Sequence, residues 1–349
     1  MVMLDNNYEI RTRACPQCYL CSAQGKELYV GLADRLYGAP GVWNQKQCPD
    51  AACGLIWLDP MPVEEDIEKA YKSYYTHPSD GPERKAGLFT PYRAARKGYW
   101  ALRFGYPDAG WRRLLAPLIY LYPGARMHAD FSVAYQHAPE SVGRLLEIGF
   151  GRGDMLERMS SLGWDAQGVD LDPAAVEATR KRGLKVSLGN LQSRSFPGDC
   201  FDVIVLSHVI EHVHFPLELL RECYRVLQPG GELILATPNA ASLGHRLFRD
   251  VWLHLDPPRH LHLFNCQNMK KMAEASGLRV KVLKTTARGA ASAFKASSHM
   301  RKHGHFSIDT KPILSERIGL FLYYCYESLL TKLSLTEGEE LLLIATKGE

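Results

Sequence analysis

The 349-residue sequence has no uninterrupted apolar run near the roughly 20 residues a membrane-spanning helix needs. Its opening stretch, Met1 to Arg13, is polar and lacks the apolar centre of a secretory leader. It contains no internal repeat and no low-complexity tract, which argues against solenoid and fibrous architectures. Charge of one sign is not in large excess either. Lys and Arg number 42 against 38 Asp and Glu, a net +4 that does not argue for a nucleic-acid partner. What remains is ordinary globular composition, 46% apolar and 23% charged, with length for about two domains. Nine cysteines without a leader predict a reducing, cytoplasmic setting, where thiols hold metal or stay free.

Those cysteines are concentrated near the start. Cys15-Pro16-Gln17-Cys18 is a C-x2-C knuckle, and Cys48 and Cys53 form a C-x4-C pair. Two knuckles on separate turns can place four thiolates round one tetrahedral Zn2+. The expected ligands are Cys15, Cys18, Cys48 and Cys53, with Cys21 close enough to compete. Four sulfur ligands leave no position for water, so the expected site is structural. The metal would supply folding energy that so small a core lacks.

Three regions follow from the pattern. Residues 1–80 read as a zinc-ribbon-like element, with a strand at 54–58 and an acidic-to-aromatic helix at 63–75. Residues 81–140 read as a helical lid or linker, broken near Pro107 and Pro123, after an exposed stretch at 77–87. The lid is basic and aromatic, with Arg93, Arg96, Trp100, Arg103, Trp111, Arg112 and Arg113. From 141 to 349 strands and helices alternate: strands at 144–149, 166–170, 184–188, 201–207 and 232–236, helices at 154–162, 173–182 and 216–227. Such alternation predicts a parallel sheet covered on both faces. Residues 285–312 read as a polar, basic loop, and 314–333 as a helix with a leucine-rich stripe. That helix is expected on the sheet or at a homodimer contact; peripheral membrane contact is a further reading. Residues 285–335 form an insertion before a final strand at 340–346.

The sharpest local signal is Glu147-Ile148-Gly149-Phe150-Gly151-Arg152-Gly153-Asp154, a strand end running through a glycine turn into a helix. Glycines there allow a tight turn and let a ligand approach the backbone. Asp170, at the end of the next strand, suits two ribose hydroxyls. A dinucleotide fingerprint wants G-x-G-x-x-G. Here the spacing is G-x-G-x-G, and the preceding Glu147 suits a cationic amino-acid group rather than a pyrophosphate.

This turn resembles motif I of the class I S-adenosylmethionine-dependent methyltransferases. The ordered segments Gly168 to Pro173, Phe201 to Ile204, His208 to Val213 and Arg225 to Gly231 resemble that family's later motifs. Arg259 to Phe264 resembles a segment of a subgroup with an N-terminal cysteine-rich, zinc-ribbon-like element. The resemblance implies an α/β, doubly wound, Rossmann-like and mostly parallel sheet, with an antiparallel last strand. It implies S-adenosyl-L-methionine as cofactor, bound by Glu147, Gly149, Phe150, Gly151, Gly153, Asp170, Leu171, Asn190, Leu191, Ser207 and His208. Glu147 would serve the ammonium side, Asp170 the ribose, and Leu171 would pack on adenine. Asn190 stands where the family usually has an acidic residue, and its carbonyl can still accept from the adenine amine.

Methyl transfer from a sulfonium is an in-line displacement, and an alcohol acceptor also needs a base. The candidates are His260 first, then His208 and His262; His260 and His262 alternate and would share a face on an extended segment. His212 and Glu211 read as structural, although His208 and His212 have a metal-pair spacing. The expected acceptor is a small molecule, such as a sugar or sugar phosphate met by the basic lid. Nucleic-acid methylation and a non-catalytic recruitment module are the alternatives; no Asn-Pro-Pro-Tyr-type amine motif supports the former.

Overall fold

The computed structural model describes residues 9–71, 91–108, 110–121, 124–140, 142–307, 314–333 and 336–348. The expected linker at 77–87 and the boundary at 80 lie outside them. The chain opens with strands β1 (Thr12–Arg13), β2 (Lys26–Leu32), β3 (Trp43–Gln47), β4 (Ile56–Leu58) and β5 (Met61–Pro62). β1 pairs antiparallel with β5, and β2, β3 and β4 form an antiparallel meander. The expected helix at 63–75 is a run of 3-10 turns over Glu64–Tyr71, its remainder being outside the described residues.

Next come α1 (Pro91–Phe104) and α2 (Ala125–Ser132), separated by 3-10 turns at Trp111–Tyr120. Gly98 permits close packing of α1 on those 3-10 turns, since a Cβ there would meet the Arg112 carbonyl oxygen at 2.0 Å. The aromatics of α1 are largely inward: Tyr99, Trp100 and Phe104 are buried.

The main unit then alternates β6 (Arg144–Ile148), α3 (Asp154–Ser161), β7 (Asp165–Asp170), α4 (Pro173–Lys181), β8 (Lys185–Leu188), β9 (Phe201–Ser207), α5 (Pro216–Val226) and β10 (Leu227–Pro238). It continues through α6 (Leu243–Phe248), β11 (His262–Leu263), α7 (Cys266–Ala275), β12 (Arg279–Thr286), α8 (Ala290–His303), α9 (Leu314–Leu333) and β13 (Glu340–Thr346). Seven strands lie in the order β12-β13-β10-β9-β6-β7-β8. β10, β9, β6, β7 and β8 run parallel, while β13 pairs antiparallel with both β10 and β12. This is the expected α/β sheet with an antiparallel last strand. Central strands read as continuous apolar runs because both faces are covered; Val203 through Leu206 and Leu233 through Ala236 are almost wholly buried. α4 begins as expected: the Asp172 side chain accepts from the Ala174 amide at 2.8 Å, and Pro173 occupies the first helical turn.

Three features correct the expectations. The first concerns the N-terminal element, which is built into the main unit. β11 pairs antiparallel with β4 and completes a four-stranded sheet in the order β11-β4-β3-β2. One continuous apolar core joins Trp43, Leu55 and Trp57 to Leu146, Ile204 and Leu261. The second lies in the expected loop at 285–312, which contains α8. Its buried stripe of Ala290, Ala293, Ala296, Ser297 and Met300 is small residues but for Met300, so hydropathy barely marks it. The third is the orientation of α9, whose apolar stripe does not lie on the sheet, the first of its two expected places. Ile318, Leu322 and Leu329 of its apolar stripe are more than half exposed, whereas Tyr324, Glu327 and Ser328 face inward. The Glu339 amide donates to Glu327 Oε1 at 2.5 Å, so a polar contact docks this face beside the start of β13. Among the described residues no helix is long and apolar enough to cross a membrane.

Candidate active site

β6 has β7 on one side and β9 on the other, so the strand order reverses beside it. In open α/β sheets that crevice, at the carboxyl ends of the strands, is where ligands bind. The glycine turn, Asp170 and His208 all lie at this edge. Gly149, Gly151 and Gly153 have φ of 67°, 51° and 69°, in the left-handed region that favours glycine. A Cβ on Gly149 would meet Val209 Cγ2 at 2.5 Å. At Gly151 no atom lies within 4 Å, so that residue faces open space.

Asp170 links the turn to the next loop. Its Oδ2 accepts from the Gly151 amide at 2.8 Å and its Oδ1 from the Asp172 amide at 2.9 Å. Burial raises its pKa, and these amides partly oppose that rise. Leu171 is 71% exposed beside it, an uncovered apolar face in the expected place for a base to stack. Asn190 is exposed, with its carbonyl already accepting from the Ser193 amide at 2.7 Å. Leu191 is fully buried in the core, so its side chain offers no surface to a ligand. Phe150 is nearly buried and packs down on Gly168.

Glu147 is 6% exposed, and its Oε2 has no hydrogen-bond partner. Burial lifts its carboxyl to about 8, with the Arg158 charge opposing. An orphaned buried carboxylate at a strand end suits an incoming ammonium. On the lid, Arg96 stacks 4.9 Å over the Trp100 ring, with its buried Nε lacking a partner. Burial lowers its pKa, as does the neighbouring Arg158 charge. Other arginines of the lid are engaged internally: Arg103 pairs with Asp130 at 3.2 Å and Arg112 with Asp108 at 3.2 Å.

Ser207 is half-buried at the end of β9, and His208 follows with φ of 55° and its ring exposed. His208 Nδ1 lies 3.3 Å from Glu211 Oε1, and Nε2 lies 3.0 Å from Glu340 Oε2. Desolvation by the groups packed round it pulls its pKa down, but the two carboxylates outweigh that and lift it to about 9. Burial pushes Glu211 and Glu340 up, yet His208 and, for Glu340, the Arg288 guanidinium hold both at about 2. Arg288 Nη2 reaches Glu340 Oε2 at 2.6 Å. Glu340 and Arg288 escaped the sequence reading because they come from β13 and from the loop after β12.

The other two candidate histidines sit deeper. His260 is 6% exposed, its Nδ1 2.7 Å from the His254 carbonyl and its ring 4.7 Å from that of His212. His254 stacks between His208 and His260, 6.3 Å from each. His262 does not join them. It lies on β11 against Tyr19 and the His214 carbonyl, where burial lowers its pKa to about 4. The expected shared face with His260 is therefore absent, because β11 turns into the N-terminal sheet.

The sulfur atoms of Cys18, Cys21, Cys48 and Cys53 lie within 4.8 Å of one another. Cys18 and Cys53 approach to 3.7 Å, Cys21 and Cys48 to 3.4 Å. A tetrahedral zinc with bonds of ~2.3 Å sets its sulfurs ~3.8 Å apart, so the donor set fits that ion. The expected ligand Cys15 is outside the group. Its amide donates to Asp59 Oδ1 at 2.6 Å and its carbonyl accepts from Trp57 Nε1 at 2.7 Å, which fixes it on the other side of the knuckle.

Residues 126–282 match the family model described as a methyltransferase domain. A probable S-adenosylmethionine-dependent methyltransferase of Mycolicibacterium smegmatis is 33% identical over 152 residues, covering 42% of this chain and 57% of that protein. A ubiquinone biosynthesis O-methyltransferase of Cereibacter sphaeroides is 36% identical over 102 residues, covering 28% of this chain and 41% of that protein. The chain thus spans about half the length of the curated relatives it matches. Among solved structures, a SAM-dependent methyltransferase from Archaeoglobus fulgidus aligns with a TM-score of 0.42 at 20% identity, covering 71% of this chain and 99% of that one.

Proposed function

We propose that residues 126–282, which match the methyltransferase-domain model, act as a class I S-adenosylmethionine-dependent methyltransferase domain and that the chain methylates a small, hydroxylated acceptor. The observation that carries this reading is the shared sheet edge: the glycine turn, Asp170 and the exposed His208 all open onto it. Glu147 would take the cofactor's ammonium, Asp170 its ribose hydroxyls and Leu171 its adenine face. Arg96, with its unpartnered Nε, would meet a carboxylate or phosphate from the lid side. The cofactor supplies an electrophilic methyl on sulfur; the chain positions it and excludes water.

His208 is the one of the three candidate bases at the surface of this edge, so we assign the acceptor's proton to its neutral form, which must first lose the Nε2 proton that Glu340 stabilises. An acceptor hydroxyl would displace Glu340 from Nε2, and Glu211 would keep the ring oriented through Nδ1. His260 and His262 would then support the wall rather than touch the acceptor. A sugar or sugar phosphate suits the mixture of Glu340, Arg288 and His208 around the opening. We also propose Zn2+ at Cys18, Cys21, Cys48 and Cys53, as a structural ion.

The test pairs calorimetry of S-adenosylhomocysteine binding with a mass-spectrometric screen for a methyl gain on sugars, sugar phosphates and RNA. Binding with methyl gain on a small acceptor, lost in His208→Ala while binding persists, is the expected result. Absence of binding would return the chain to the recruitment-module reading, and methyl gain on RNA alone to the nucleic-acid one.

A further inference from the structure

Glu211, His212 and His260 bring one carboxylate and two imidazoles together behind His208, and their ligand atoms lie within 4.8 Å of one another. The tautomers are set by the backbone. His212 Nδ1 lies 3.1 Å from the Arg259 carbonyl oxygen, and His260 Nδ1 lies 2.7 Å from the His254 carbonyl oxygen. A carbonyl can only accept, so His260 Nδ1 carries the proton and its Nε2 keeps a lone pair; His212 has the same tautomer when the Tyr71 hydroxyl, 2.9 Å from its Nδ1, accepts alongside the Arg259 carbonyl. This is the arrangement by which metal-binding histidines are usually oriented from behind. Glu211 has no exposed surface. Its Oε2 accepts from Thr237 Oγ1 at 2.9 Å, while Oε1 has no hydrogen-bond partner and only the His208 ion pair at 3.3 Å. One carboxylate and two imidazoles thus converge where Glu211 and His260 are buried and His212 is half-buried, with Asp256 Oδ2 a further oxygen 3.8 Å from His260 Nε2. Such a set is repulsive when empty and is relieved by a cation.

We infer that Glu211, His212 and His260 form a second metal site, for a divalent transition ion such as Zn2+, Co2+ or Fe2+. Two nitrogens and one oxygen suit these ions better than Ca2+ or Mg2+, which prefer all-oxygen shells. Three protein ligands leave at least one position for water, unlike the closed cysteine cluster. An ion there would draw Glu211 Oε1 away from His208 and so couple its occupancy to the orientation of that ring.

The experiment uses the full chain equilibrated with excess Zn2+, desalted, and assayed for zinc by elemental analysis. Two zinc ions per chain are expected, falling to one in His260→Ala, with S-adenosylhomocysteine binding retained as a check on folding. Equal zinc content in the parent and in a folded His260→Ala variant would overturn the assignment. A second measurement needs no variant: Co2+ added to the chain should give a weak nitrogen–oxygen d–d envelope besides any thiolate charge-transfer band. Thiolate bands alone, at one equivalent, would also overturn it. Neither readout depends on methyl transfer, so failure here is separable from failure of the proposed activity.

Discussion

The Gly151 amide donates to Asp170 Oδ2 across 2.8 Å, so the turn after β6 and the carboxylate ending β7 form one unit. Removing the carboxylate should therefore disturb both the ribose partner and the turn itself. Hydrogen bonds to a charged group are worth about 1.5–3 kcal/mol. Asp170→Ala is expected to weaken S-adenosylhomocysteine binding by about 10- to 100-fold by calorimetry. An unchanged affinity would remove Asp170 from the proposed cofactor site.

The glycines of the turn separate folding from binding. Gly149→Ala meets Val209 Cγ2 at 2.5 Å and also pays for its φ of 67°. Left-handed backbone costs roughly 1–2 kcal/mol, and overpacking about as much again. A fall in Tm of ~5–10 °C is expected, partly restored by Val209→Ala. Gly151→Ala has the same backbone strain, at φ of 51°, but touches nothing. Its Tm should fall less, while its cofactor affinity falls more, because the new methyl group occupies the ligand's space.

Much of this edge was legible because its signals are local. The strands β6, β7, β9 and β10 read as apolar runs, and Asp170 and the glycines follow from strand ends and turn chemistry. The Glu340 partner of His208 is 132 residues away in the chain and carries no local mark. Cys15 and Cys21 each stand three residues from Cys18, so spacing alone does not choose between them. The choice is made by Asp59 and Trp57, which hold the backbone of Cys15 from a strand that folds back on it. α8 was missed for another reason: alanine and serine bury well against a neighbouring helix but give little hydropathic contrast.

The cysteine assignment has a direct consequence. Cys21→Ser should lower zinc content by one ion per chain and reduce Tm, because a structural site contributes folding energy. Cys15→Ser should leave zinc content unchanged, its backbone contacts to Asp59 and Trp57 being kept. Elemental analysis and thermal melts of the two variants decide it; equal zinc loss in both would restore Cys15 as a ligand.

Glu147 places binding against stability. Burial raises its carboxyl from 4.5 to about 8 in the folded chain. Between these values the folded state holds a proton that the unfolded state has released, so this group makes stability fall as pH rises from about 4.5 to about 8. Glu147→Gln abolishes that titration. Its Tm should exceed the parent's above pH 8 and approach it near pH 5, while affinity for the methionine ammonium falls. A variant with unchanged cofactor affinity would show that the orphaned Oε2 serves another purpose.

The buried carboxyls of Glu327 and Glu339 extend the same argument to the docking of α9. Burial lifts Glu327 to about 7 and Glu339 to about 8, and the nearby Glu327 charge adds to the rise at Glu339. Glu339 also donates its amide to Glu327 Oε1, so ionising both places two charges at the joint between α9 and β13. The sign matches that of Glu147: stability present below about 4.5 is lost as pH rises through 7 to 8. Because the pair sits at the joint between α9 and β13, while Tyr323 and Tyr324 pack α9 on α8, the loss should be local to that joint. Hydrogen exchange of the α9 amides should accelerate between pH 6.5 and 8.5 beyond the intrinsic chemical increase, relative to β9, after correction by an unstructured peptide. Glu327→Gln should remove most of that excess. Uniform acceleration across α9 and β9 would mean instead that the pair reports on global unfolding.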